Sequence, residues 1–136
     1  MSTGLMHLHH YLPFLFFIVL IISIVRAALN KIPNAKKDIF LTLTLIFAHI
    51  QLLIGLVLLI PIATVVDWSG VMGNAASRFL LVEHPLTMLI AVILITLGKV
   101  KAKKIEDNAK ANKTVLGYFT VALILIALRT PWDKLF

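Results

Sequence analysis

Four long apolar runs divide the chain, at about residues 5–29, 39–63, 78–98 and 114–132, with polar stretches between them. Each run is close to the ~20 residues that a helix needs to cross a bilayer, and none shows the strict alternation of a barrel strand. Backbone groups in lipid have to be satisfied within their own segment, so helices are the expected form. The pattern predicts an all-α membrane protein, a single four-transmembrane-helix bundle over residues 1–136. Ser2 and Thr3 are candidate caps for the first helix, and Pro13 sits near its first turns, where proline is tolerated. No lysine or arginine precedes Arg26, so this run is expected to be a retained helix and not a cleaved signal peptide. Pro33-Asn34 marks the first connection, and Asp67, Ser69-Gly70 and Gly73-Asn74 mark the second.

Composition sharpens this picture. The chain is 60% apolar and 14% charged, where soluble domains run at roughly 45–50% and 25%. The net charge of +7 reports topology before it reports a partner. Arg26, Lys31, Lys36, Lys37, Lys99, Lys101, Lys103, Lys104, Lys110 and Lys113 fall on the connections after helices one and three, whereas Arg78, Arg129 and Lys134 fall on the opposite side. Both termini are therefore expected on the outer, periplasmic side of a bacterial inner membrane, which the chain crosses as a multi-pass protein. Tyr11, Trp68 and Trp132 belong to that same side, as an interfacial aromatic belt requires. The lysine run is expected to contact anionic headgroups of the lipid bilayer, with no nucleic acid partner. The absence of cysteine removes disulfides, thiolate metal sites and covalent haem attachment. No Gly-x-Ser-x-Gly, His-Glu-x-x-His or phosphate loop occurs. An electron carrier or accessory subunit is expected before a stand-alone enzyme.

The candidate chemistry lies at the mouth of the third helix, where Arg78, Glu83 and His84 precede an uncharged span. Ionisable groups so placed are costly and point to function. His7, His9 and His10 share that outer side, and His49 falls about halfway along helix two. Cofactor sites in four-helix bundles are built from facing helices. Two axial imidazoles on one iron hold their nitrogens only ~4 Å apart, from metal–nitrogen bonds of about 2 Å. His84 paired with an amino-terminal histidine, or with His49, therefore satisfies the expectation. Arg78 and Arg129 are placed to meet haem propionates. Met88 reads as core. With His9, His49 and His84 as candidate metal ligands, a copper or zinc site built from the outer histidines with Glu83 is the alternative metal reading, and a cofactor-free structural subunit is a further one.

Leu5-Met6-His7-Leu8-His9, Ala48-His49-x-Gln51-x-x-x-Gly55, Arg78-Phe79-x-x-Val82-Glu83-His84-Pro85-x-x-Met88 and the closing Pro131-Trp132 resemble small four-helix membrane proteins of Bacteroidetes named cytochrome b. The resemblance covers essentially the whole chain, and Val-Glu-His-Pro is its most specific part. It implies a non-covalent haem b with histidine ligands drawn from His7 or His9, His49 and His84. The tandem His9-His10 leaves the choice on helix one open. Electron transfer is then the expected function, with the haem in the outer half and quinol or a larger membrane redox complex as the expected partner.

Overall fold

The computed structural model describes residues 3–132; Ser2 and Lys134, named above as a cap and as a topological marker, lie outside them. Four helices make up the fold: α1 Thr3–Ala28, α2 Ile39–Val65, α3 Ala75–Ala102 and α4 Asn108–Arg129. All four are long and apolar enough to span a membrane. Each packs on its neighbours in chain order and α4 closes back on α1, so the helices form an up-and-down ring. One end carries the α2–α3 connection with His7, His9, His10 and His84 (the histidine end). The other carries the α1–α2 and α3–α4 connections (the lysine end).

Leu20, Leu41, Ala91, Ile95, Val115, Phe119 and Ala122 are fully buried along the ring axis. Small residues let the backbones approach closely, as membrane helix packing requires. A Cβ at Gly98 would come within 2.7 Å of the Tyr118 Cβ, so α3 and α4 meet there because glycine has none. Ser23 and Thr44 bond at 3.3 Å across α1 and α2.

The lysine end is tied by specific polar clasps. Asp38 caps α2 through the Leu41 N–H and takes two bonds from Arg26, at 2.9 and 2.6 Å. Asn112 of α4 holds the Ile32 N–H and carbonyl together, at 3.0 and 2.9 Å. α1 ends in a Schellman turn, in which Lys31 N–H reaches Arg26 O and Asn30 takes a φ of 56°. Lys99 departs from its expected role. It is not one more headgroup lysine, because its side chain is buried and its ammonium donates to the carbonyls of Ala35 and Lys36.

α3 starts earlier than the apolar run suggests and contains one wide turn. Phe79–Glu83 is π-helical, with His84 N–H bonded to Phe79 O. Pro85 accounts for it. A proline ring has no N–H to give and crowds the carbonyl four residues back, here Leu81 O, and a widened turn relieves that clash.

Candidate functional site

Arg78 and Glu83 are five residues apart, about 140° around a regular α-helix. The π turn closes that angle. Arg78 Nε then donates to Glu83 Oε2 at 2.9 Å, and its Nη1 donates to Met72 O at 2.8 Å. Arg129, from the end of α4, brings its Nε within 3.9 Å of Glu83 Oε1. One carboxylate is thus flanked by two guanidiniums, and its cost at membrane depth falls accordingly. All three side chains stay about one-third to two-fifths exposed. Both arginines expected to meet propionates are already engaged with Glu83, although each guanidinium has further N–H donors.

His84 follows directly. Its Nδ1 lies 2.6 Å from Arg129 O. A carbonyl only accepts, so Nδ1 carries the proton and a neutral ring keeps its lone pair on Nε2. A backbone carbonyl on one ring nitrogen is the usual way to orient a histidine whose other nitrogen binds a metal. Phe79 stacks on the ring at 5.9 Å between centroids.

His9 comes from the opposite corner of the ring, on α1. Its ring lies over Gly55 of α2, where a Cβ would stand 3.1 Å from His9 Cε1. Gln51, one turn before Gly55, donates from Nε2 to His9 O at 2.8 Å and meets His9 Nδ1 at 3.0 Å. Gln51 Oε1 is buried without a hydrogen-bond partner among the described residues. All four helices therefore contribute to this end: His9, Gln51 with Gly55, His84, and the Arg129 carbonyl.

The other histidines lie elsewhere. His7 is exposed and stacks on Tyr11, whose edge also meets His10. His49 faces outward from the α2–α3 seam. Its Nδ1 bonds Leu45 O at 2.7 Å and its Nε2 lies 3.4 Å from Thr96 Oγ1. Thr96 follows His84 by twelve residues, about 18 Å along a helix, so the structure does not bring His49 to His84. Gln51 and His49 point to opposite sides, as their spacing requires, and it is Gln51 that reaches the site. Among the described residues no group of three or more His, Cys, Asp or Glu side chains is placed to hold a metal ion.

Gln51 as the partner of His9 was not singled out from sequence. Gln51 stands in the Ala48-His49-x-Gln51-x-x-x-Gly55 segment and shares a helix face with Thr44, Ala48 and Gly55, a pattern that reads equally well as plain helix packing. Two surface cavities, of about 270 and 290 Å³, lie away from the histidine pair. One is an apolar groove between α1 and α4 that includes Phe17, Leu123 and Trp132, and the other is a polar hollow at the lysine end around Lys36 and Lys103. No protein-family model, curated protein or solved structure matches the chain.

Proposed function

We propose that this chain is a b-type haem membrane protein working in electron transfer, with His84 as the residue that holds the iron. The observation that carries the reading is the 2.6 Å bond from His84 Nδ1 to the Arg129 carbonyl, which leaves Nε2 ready to bind a metal. The donor set fits one axial imidazole. Haem, when bound, supplies one-electron chemistry. The protein's part is to orient His84 from α4, to hold Glu83 neutralised between Arg78 and Arg129, and to offer remaining guanidinium donors to carboxylates.

The distribution of lysine and arginine supports a bacterial inner membrane setting with both termini, and so the histidine end, outside the cytoplasm. A site at that end serves the outer half of the membrane, where quinol or a redox partner would meet it.

A cofactor-free accessory subunit is the second reading. It is favoured by the wide exposed face of α2, where only Leu41, Thr44, Ala48 and Ile54 are buried. An optical spectrum decides between the two. Protein expressed with ample haem and purified in mild detergent should carry a haem spectrum that shifts on dithionite reduction and is lost in His84→Ala. A featureless spectrum in the unaltered chain would sink the haem reading and leave the subunit reading standing.

A further inference from the structure

Building on that haem reading, we infer that His9 is a hydrogen-bond donor opposite His84 and not a second axial ligand, so that the site keeps one coordination position for a small diatomic ligand. The case rests on which nitrogens carry protons. Gln51 Nε2 stands 2.8 Å from His9 O, and since a carbonyl only accepts, that amide atom has to be the nitrogen. Turning the amide over would set two acceptors against each other. The same nitrogen meets His9 Nδ1 at 3.0 Å, so Nδ1 accepts and a neutral His9 ring carries its proton on Nε2. The notch over Gly55 holds the ring in this position.

His84 is the reverse case, with the proton on Nδ1 and the lone pair on Nε2. Two axial imidazoles need two Nε2 lone pairs, and this pair of rings offers one lone pair and one N–H. An acceptor small enough to sit between an iron held by His84 and the His9 N–H matches that asymmetry. Carbon monoxide is the convenient probe of the open position.

Gln51 is then the positioning residue that keeps the position open. Without its amide, His9 can take the other tautomer, with its proton moved from Nε2 to Nδ1, and donate from Nδ1 to the carbonyl of Leu5, four residues back. His49 makes the same bond to Leu45 O at 2.7 Å. His9 Nε2 would then be free to bind iron.

Two measurements test this. In haem-free protein labelled with 15N-histidine, in detergent at a pH that keeps the rings neutral, His9 should show its proton on Nε2 and His84 on Nδ1. In haem-loaded protein the ferrous spectrum should be high-spin and should respond to carbon monoxide. Gln51→Leu should turn it low-spin and weaken carbon monoxide binding by about tenfold or more, since the competent fraction falls in proportion. A low-spin wild-type spectrum indifferent to carbon monoxide, or His9 with its proton on Nδ1, would overturn the inference while the haem reading stands. No haem uptake by the wild-type chain would overturn both.

Discussion

Asp38 shows how a single side chain can be read through its proton. Burial alone would raise its carboxyl, but the Arg26 guanidinium, the Leu41 N–H and the nearby Lys99 outweigh that and hold it below its ordinary value of 3.8. A carboxyl depressed on folding contributes stability above its unfolded pKa and loses it as pH falls through the folded value. The Asp38 contribution to thermal stability in detergent should therefore be intact above about pH 5 and be lost as pH falls below about 4. Asp38→Asn should lower stability at pH 7 and flatten that acid limb; an unchanged limb would remove Asp38 as its source. Two glycines make a matched pair at the same scale. Gly98→Ala forces a Cβ onto Tyr118 Cβ and Phe119, an overpacking worth about 1–3 kcal/mol of destabilisation. Gly117→Ala, with open space around it, should stabilise α4 by up to about 1 kcal/mol through helix propensity. Melting of the two variants side by side checks both signs.

Among elements, α3 is the one whose irregularity matters. Its π turn at Phe79–Glu83 allows a residue pair five apart to share a face, and without it Arg78 would point away from Glu83. Pro85→Ala removes the clash that the wide turn relieves, and should restore regular α geometry, leave circular dichroism nearly unchanged and break the Arg78–Glu83 bond at 2.9 Å. The expected result is a loss of about 1 kcal/mol or less from that pair, because it is about one-third exposed. On the proposed haem reading, haem uptake should fall by a larger factor, since the change disturbs the arginine pair next to His84. Wild-type haem uptake in Pro85→Ala would show that the π turn serves packing alone.

For the whole molecule, the ring order of the helices explains why a site forms at one end. The lysine end is held by Arg26–Asp38, Asn112 on Ile32 and Lys99 on the 35–36 carbonyls, which tie the α1–α2 connection to α3 and α4. The histidine end has one long connection, the start of α1 and the end of α4, and its polar groups are held by Glu83, Gln51 and the Arg129 carbonyl. The proposed orientation predicts that, in intact cells, a membrane-impermeant thiol reagent labels Asn74→Cys and leaves Lys103→Cys unlabelled until the membrane is opened. The reverse pattern would invert the topology and move the histidine site to the cytoplasmic half.

Four apolar helices follow from the sequence alone, because a run of about 20 apolar residues has one stable form in lipid and needs no knowledge of its neighbours. The same local logic placed the turn at Gly73-Asn74 and the polar cluster around Glu83, whereas Pro13 falls inside α1, well past its first turn. Partner choice did not follow. Which of His7, His9 and His10 turns inward depends on the rotation of α1 against α2, a property of packing between segments far apart in the chain. The burial of Lys99 has the same origin, since its acceptors lie more than sixty residues away. The proton positions of His9 and His84 lie furthest from the sequence, because they are set by single atoms of Gln51 and Arg129 that only the closed ring brings within hydrogen-bond range.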